Sequence, residues 1–331
     1  MPRSTQDTPV LTVQVDVDTL KNLLTFYGFD GSAQDEGNII YRQALPRFAE
    51  LFEALGIRAT FFVVGEDLNH QSNREVVRRL HATGHEIANH TQTHAYHFMH
   101  LSCQQKRREI EQAGQAIAGV TGHPPVGFRA PGYDVDRGIL EILVELGYSY
   151  DSSVMPSLLN LPFKLLQTVV RKNRGFSGYG SPALSLAPNH PYRPALSALW
   201  RSAPAGPLWE IPVSCVPYVR LPFYANFNLF TGETLFRLSS ALARGSDCNY
   251  VFHAVEMLDS SEIDSRIHRH PNARLPLQAK ISRCRSFLQQ LMQGRRVLLS
   301  REFAAELAGR RPLHHSRAPS SQMPGPAPGQ M

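Results

Sequence analysis

The stretch Leu11-Thr-Val-Gln-Val-Asp16-Val-Asp18 alternates apolar and polar side chains for most of its length and is rich in β-branched residues. This pattern predicts a buried strand that ends in carboxylates, and catalytic groups of α/β folds collect at such strand ends. Asp16 and Asp18 would share one face of a continuing strand. Either aspartate alone fits an acidic turn or a helix N-cap. Two close carboxylates, however, rarely both stay ionised without a nearby cation.

Further apolar runs alternate with amphipathic helical stretches along the chain. Strands are predicted near residues 10–16, 59–64, 86–89, 126–129, 208–214 and 248–253. Helices are predicted at 43–55, 73–82, 101–118, 136–146, 233–244 and 274–293. The alternation indicates parallel βα units that close into an α/β barrel. The chain has 331 residues, 42% of them apolar, so we predict one domain over 1–310 and a disordered Pro-, Ser- and Gly-rich tail over 311–331.

A second polar segment, His90-Thr-Gln-Thr-His94, follows the predicted strand at 86–89. Two histidines four residues apart converge on one metal ion if the backbone turns helical between them. With Asp18 they make a set of three ligands, and a catalytic zinc site typically keeps a further position open for water. The alternative is a surface stretch that is simply rich in histidine, because His97 and His100 follow closely.

A third segment, Phe128-Arg129-Ala-Pro131-Gly132, places an arginine at the end of another short apolar run. Because a guanidinium is always charged, Arg129 is suited to hold Asp16 ionised and oriented as a base. A spare carboxylate, three metal ligands and a cation that holds the carboxylate are together typical of a metal-dependent amide or ester hydrolase.

In this combination and order the three segments resemble the polysaccharide deacetylases of the NodB-homology type, carbohydrate esterase family 4. The resemblance covers residues 9–155 and resumes at 208–255. It implies the distorted (β/α)7 barrel of that family, with Asp16 as the catalytic base and Arg129 as its tether. It implies one divalent metal ion, Zn2+ first with Co2+, Ni2+ or Mn2+ as alternatives. The ligands that it implies are Asp18, His90 and His94.

Two later segments extend the resemblance. Leu208-Trp-Glu-Ile-Pro-Val213 looks like the fourth motif of the family, and Tyr250-Val-Phe-His253 looks like the fifth, whose histidine acts as general acid. His253 on its own would fit a core histidine at a strand end equally well. Glu210 is a candidate to orient that histidine or to bind substrate, and a surface carboxylate is the alternative.

The chain departs from the common family pattern at two points. Asp16 and Asp18 are spaced by one residue, which looks more like the branch that deformylates an amino-arabinose carried on a polyprenyl phosphate. The Arg-x-Pro motif continues with Gly132-Tyr133, where the family has Tyr-Gly. We therefore predict that Gly132 and Tyr133 contact the oxyanion or the substrate.

An insertion is predicted between the third and fourth motifs, at 152–209. It contains no Asp or Glu. Its cations, six in number, equal the formal net charge of the whole chain, +6, and they are Lys164, Arg171, Lys172, Arg174, Arg193 and Arg201. An apolar run with a basic end at 158–170 is suited to an anionic membrane surface, while a helical lid packed on the barrel is the alternative. The apolar stretch 219–230 is suited to line a groove for lipid. Nucleic acid is not expected as a partner, because no recognition motif accompanies the basic residues.

We therefore expect a hydrolase that removes a formyl or acetyl group from an N-acyl amino sugar, borne on a glycolipid. No apolar run precedes the first strand and no stretch has the length of a membrane span, which predicts a cytoplasmic enzyme with peripheral contact at the inner membrane face. Two alternatives stay open, an amide or imide hydrolase of small soluble metabolites and a non-catalytic barrel that binds glycan or lipid. Binding alone would need neither Asp16 nor His253.

Overall fold

The structure is a computed structural model, and it describes residues 8–30, 38–95, 98–133, 135–159, 181–206, 208–268 and 272–309. The predicted tail at 311–331 lies outside these residues. So does the segment 160–180, which contains most of the apolar run and four of the six cations of the insertion.

A parallel β-sheet forms the centre of the molecule. The strands are β1 (Val10–Val17), β2 (Thr60–Val63), β3 (Glu86–Asn89), β4 (Gly127–Phe128), β5 (Tyr150–Asp151), β6 (Pro194–Ala195), β7 (Ala198–Ser202), β8 (Trp209–Glu210), β9 (Cys248–His253) and β10 (Arg296–Leu298). The main path of the sheet runs β10-β1-β2-β3-β4-β5-β8, and β9 pairs in parallel with β1. A separate antiparallel hairpin is formed by β6 and β7. The predicted α/β architecture of parallel βα units is confirmed.

Helices connect the parallel strands, as parallel pairing requires. They are α1 (Leu20–Phe26), α2 (Leu45–Leu55), α3 (Gln71–Ala82), α4 (Cys103–Thr121), α5 (Arg137–Glu145), α6 (Ala225–Thr231), α7 (Glu233–Leu242), α8 (Leu277–Met292) and α9 (Ser300–Gly309). A π-helical turn at Ile40–Ala44 leads directly into α2. Among the described residues no helix is both long and apolar enough to cross a membrane.

The two faces of β1 have different surroundings, although all eight of its residues are buried. Val13, Val15 and Val17 belong to the largest hydrophobic cluster, in which aromatic side chains of α2 also pack. The opposite face presents Thr12, Gln14 and Asp16, which are equally buried but polar. Buried polar groups need hydrogen-bond partners, and the hydroxyl of Thr12 donates to Oδ1 of Asn249 at 2.9 Å. A polar column thus leads along the inside of the sheet to Asp16.

Candidate active site

The carboxyl ends of three neighbouring strands meet around Asp16. In the register of the sheet Asp16 is the Cα partner of Phe62 on β2 and of His253 on β9. Residues at the same level of adjacent parallel strands lie about 4.8 Å apart, so this register brings the predicted base and the predicted acid side by side. The metal-ligand candidates follow the ends of β1 and β3.

The three predicted metal ligands converge. Oδ1 of Asp18 lies 3.3 Å from Nε2 of His90 and 3.0 Å from Nε2 of His94. One ligand atom of each residue lies within 4.8 Å of the other two, and both histidines are buried. A histidine cluster confined to the surface does not fit this burial.

The backbone between the two histidines is not helical, which corrects the expectation that they converge through a helical turn. Thr91 and His94 instead adopt left-handed conformations, with φ of 66° and 54°. The amide of His94 donates to Oγ1 of Thr91 at 3.2 Å, and the amide of Thr91 donates to Oδ1 of Asn89 at 2.8 Å. These side-chain contacts stabilise a backbone conformation that non-glycine residues seldom adopt.

The end of β2 holds the same loop from the other side. The amide of Gly65 donates to the carbonyl of Thr91 at 2.9 Å, and the amide of Glu66 donates to that of Gln92 at 2.8 Å. A Cβ at Gly65 would lie 2.2 Å from Oε1 of Gln92 and 2.7 Å from the Cα of Ala113. Only glycine therefore fits between the ligand loop and helix α4 at this point.

The donor set fits a divalent metal ion. Nδ1 of His90 lies 2.8 Å from the carbonyl oxygen of Arg129, and a carbonyl only accepts, so Nδ1 carries a proton and Nε2 is the atom left to bind a metal ion. Nε2 lies 3.3 Å from Oδ1 of Asp18. Burial alone would raise the pKa of Asp18, but His94 and His90 hold it well below its ordinary value, which favours the anion that a metal ligand must be. Two imidazoles and one carboxylate are typical ligands of zinc and related first-row ions.

The carboxylate of Asp16 is held by a fully buried arginine. Nη1 of Arg129 lies 2.5 Å from Oδ1 of Asp16, and Nη2 donates to Oε1 of Gln14. Nε of Arg129 donates to the carbonyl of Ser152 at 2.8 Å, while the guanidinium lies 4.3 Å from the ring centroid of Phe62. The arrangement fixes Asp16 as an oriented anion that is not part of the ligand cluster.

Tyr133 contacts Asp16 as well. Its hydroxyl donates to Oδ2 of Asp16 at 3.3 Å, and burial followed by the nearby Asp16 charge raises the pKa of Tyr133 well above its usual range. The phenol of Tyr133 therefore stays protonated and acts as a hydrogen-bond donor to the carboxylate of Asp16. Gly132 and Tyr133 both have left-handed φ, 66° and 58°. The assignment of the Gly132 amide to an oxyanion stays a prediction.

His253 lies between two carboxylates. Its Nε2 is 3.7 Å from Oδ2 of Asp16, and its Nδ1 is 3.6 Å from Oε1 of Glu256. Burial by itself lowers the pKa of His253, but Glu256 and Asp16 together raise it to about 9. At neutral pH this imidazole is therefore cationic and able to give up a proton.

Glu210 is placed away from His253. It is the register partner of Asp151 on the neighbouring strand, is fully buried, and accepts from the amide of Val154 at 3.0 Å. Burial and the adjacent Asp151 raise the pKa of Glu210 well above its usual range. The carboxylate beside His253 is Glu256, which the sequence reasoning missed. A carboxylate three residues after a histidine that ends a strand was the available signal.

The comparisons with known proteins agree with this fold. Residues 29–150 match the family model of polysaccharide deacetylases. The chain is 27% identical over 143 residues to the peptidoglycan deacetylase of Helicobacter pylori, covering 43% of this chain and 48% of that protein. It is 29% identical over 148 residues to a chitin deacetylase of Colletotrichum lindemuthianum, covering 44% and 58%. The chain thus spans about half the length of the curated relatives it matches. The family resemblance inferred from the motifs is confirmed.

Solved structures show the same fold over nearly the whole chain. A suspected polysaccharide deacetylase from Mycobacterium smegmatis superposes with a TM-score of 0.60 at 20% identity, covering 93% of each chain. A probable polysaccharide deacetylase from Pseudomonas aeruginosa PAO1 gives 0.57 at 16% identity, covering 92% and 93%. The PuuE allantoinase also gives 0.57 at 16% identity, covering 94% and 93%. At these low identities the similarity to the solved structures shows only the fold. The same fold occurs in proteins that are named for different activities.

Proposed function

We propose that the protein is a metal-dependent hydrolase that removes an N-acyl group from an amino sugar. One arrangement carries the proposal: Asp16, held by Arg129, lies outside the ligand cluster of Asp18, His90 and His94, and the cationic His253 lies 3.7 Å from it. An ordinary structural ion pair needs no ligand cluster beside it. The relatives named as peptidoglycan and chitin deacetylases support an acetyl group on an amino sugar.

The roles of the side chains follow from their contacts. A divalent ion bound by the cluster would polarise the acyl carbonyl and lower the pKa of water toward neutrality. Oδ1 of Asp16 is paired with Arg129 at 2.5 Å, whereas Oδ2 has the longer contact with the Tyr133 hydroxyl at 3.3 Å, so we assign the proton of the attacking water to Oδ2. As the carbon–nitrogen bond breaks, its electron pair stays on nitrogen, and Nε2 of His253 supplies the proton that the leaving amine requires. Zinc, and the Gly132 amide as an oxyanion donor, belong to the same proposal.

The decisive experiment measures acyl release by the purified protein. N-acetylated chito-oligosaccharides and peptidoglycan fragments should yield acetate and a free amine, and N-formyl analogues would decide between formyl and acetyl. The metal-depleted protein should be inactive and recover with Zn2+, Co2+, Ni2+ or Mn2+. Equal rates for the intact protein and for Asp16→Asn would overturn the proposal. Hydrolysis of small cyclic imides or ureides with no action on the sugars would favour the metabolite hydrolase instead.

A lipid-linked amino sugar is the finer form of the proposed substrate. It is supported by the acid-free composition of 152–209 and by the exposure of Leu158 and Leu159 at the start of its apolar run. Each basic residue of this segment would gain about 1 kcal/mol from lipid phosphates at an anionic membrane surface. The apolar side chains would enter the membrane–water interface.

The surface next to Leu158 provides an argument against the lipid-linked form and in favour of a soluble N-acyl sugar. The amide of Leu158 donates to the carbonyl of Arg220 at 3.3 Å, and the adjacent Tyr218 is 93% exposed. Tyr218 lines the same cavity as Pro9 and Asp247, which precede β1 and β9. Membrane contact through this surface would therefore turn Asp16, at the other end of β1, away from the bilayer.

Co-sedimentation with liposomes tests the membrane contact. Binding should require anionic lipid, fall with ionic strength, and decrease further in Leu158→Ser/Leu159→Ser. The pair Leu238→Ser/Leu242→Ser on α7, whose side chains are at least as exposed, is the matched control. If the protein ignores anionic liposomes but acts fully on soluble sugars, the lipid-linked form of the proposal is wrong.

A further inference from the structure

The turn that follows β9 brings a second carboxylate to His253. Ala254–Met257 forms one turn of 3-10 helix with His253 as its N-cap. His253 has an extended backbone and lies just outside the turn, and this tight turn folds the chain back toward the strand end within three residues. Glu256 is three residues after His253, and its Oε1 is 3.6 Å from Nδ1 of the imidazole. The backbone geometry itself therefore selects this contact.

Glu256 has few other contacts that would account for its position. Its side chain is fully buried, and neither of its oxygens has a hydrogen-bond partner among the residues that the structure describes. Burial raises the pKa of Glu256 above its usual value, and His253 and the buried Lys280 offset only part of that rise. Lys280 itself donates to the carbonyl of Leu258. Buried carboxylates with a purely structural role are normally hydrogen-bonded, so a buried carboxylate without a hydrogen bond that lies beside an imidazole calls for another explanation.

We propose that Glu256 is a positioning residue that holds the Nδ1–H of His253 and so directs Nε2 toward the reacting amine. The inference rests on the proposed function of His253 as the acid. When the carbon–nitrogen bond breaks, Nε2 loses its proton to the amine, and the neutral imidazole keeps the remaining proton on Nδ1, next to Glu256. The carboxylate thus selects one tautomer before and after the transfer.

Three neighbouring groups face His253 and influence its titration. Asp16 approaches from β1, Glu256 from the turn after β9, and Tyr224, at the N-terminus of α6, has its ring centroid 6.2 Å away. Two of these are carboxylates, one on each side of the ring. Removing Glu256 leaves the charges of Asp16 and Asp18 to stabilise the imidazolium, while the burial that opposes the charge stays. The pKa of His253 should then fall.

The test is an NMR titration of the histidine-labelled full-length protein, with the His253 signal assigned through His253→Gln. Glu256→Gln should lower the pKa of His253 by about one unit or more, and Glu256→Asp should retain most of the original value. The control is Glu262→Gln. It removes a nearby carboxylate that pairs with Arg47 at 2.7 Å, and it should leave the pKa of His253 unchanged. An unchanged pKa of His253 in folded Glu256→Gln would overturn the proposal. If that variant fails to fold, the 15N shifts of the neutral ring in the unaltered protein decide, and a proton on Nε2 of His253 rather than on Nδ1 would overturn the proposal.

Activity provides a second readout that separates this inference from the proposed function. In Glu256→Gln kcat should fall about tenfold to hundredfold while KM stays nearly constant. The alkaline limb of the rate should also move to lower pH, because the acid loses its proton earlier. If no N-acyl sugar is hydrolysed by the unaltered protein, the proposed function fails, and the NMR titration still decides whether Glu256 controls His253.

Discussion

Asp16 and His253 are register partners on the parallel strands β1 and β9, and their side chains approach to 3.7 Å between Oδ2 and Nε2. Arg129 holds the other oxygen of Asp16 from the end of β4. A carboxylate and an imidazolium are thus presented from adjacent strands at one level of the sheet. This arrangement allows one group to accept a proton and the other to donate one to the same bound amide.

Removal of a ligand should remove the metal. His94→Ala should reduce the metal content of the purified protein to a small fraction, because two ligands bind a first-row ion much more weakly than three. Elemental analysis by mass spectrometry measures this directly. His100→Ala changes an exposed histidine of the same stretch and should keep the metal. Equal metal content in both variants would mean that the cluster is not the site.

Removal of the base should stop turnover and leave the metal bound. Asp16→Asn keeps the shape of the side chain but cannot accept the proton of water, so kcat should fall by about two to four powers of ten. Metal analysis of the same preparation is the control. Loss of the metal together with activity would indicate that Asp16 is a ligand and that its role has been exchanged with that of Asp18.

The buried pair of Arg129 and Asp16 should behave as a unit in unfolding. Arg129→Met leaves the Asp16 carboxylate buried without its cation, so the free energy of unfolding should fall by about 3–5 kcal/mol. The double variant Arg129→Met/Asp16→Asn should recover part of that loss. Arg137→Met, which breaks an exposed pair with Glu141, should cost no more than about 1 kcal/mol. Urea unfolding of the unaltered protein, these three variants and Asp16→Asn alone measures these differences, and additive losses in the double variant would contradict the coupling.

His85 should make the protein less stable in weak acid. Burial lowers its pKa from 6.5 to about 4, and its Nδ1 accepts from the amide of Ala59 at 3.0 Å, which requires the neutral ring. Between pH 6.5 and 4 the unfolded chain binds a proton that the folded chain does not. The contribution of the neutral His85 ring to the free energy of unfolding is therefore complete above pH 6.5. It is lost as the pH falls toward 4, and the loss amounts to at most about 3 kcal/mol.

Urea unfolding at pH 7.5 and at pH 5 checks this prediction. His85→Asn replaces Nδ1 by another acceptor and removes the titrating group, so its free energy of unfolding should depend less on pH than that of the unaltered protein. His81→Asn changes a partly exposed histidine on α3 and should leave the pH dependence as it is. The same slope in all three proteins would show that His85 is not responsible.

The local sequence determined the regular elements and the types of the site residues. Strands such as β1 and β9 and helices such as α2 and α4 have clear hydrophobic periodicity, and their predicted bounds overlap the observed ones. The strand at 150–151 and the short helix at 20–26 were not predicted, because elements of two to seven residues contain too little of a repeat to recognise.

The tertiary structure alone decided how the side chains meet. His90 and His94 converge through a left-handed turn held by Thr91 and by the end of β2, and no residue spacing distinguishes that turn from a helix. Glu210 and Glu256 both follow apolar runs, yet only Glu256 reaches His253. The tight 3-10 turn after β9 folds the chain back toward the strand end, while β8 places Glu210 beside Asp151. The sequence specifies which chemical groups are present and in which element each one lies. Which of them become neighbours depends on strand register and turn geometry, which are set by contacts between segments far apart in sequence.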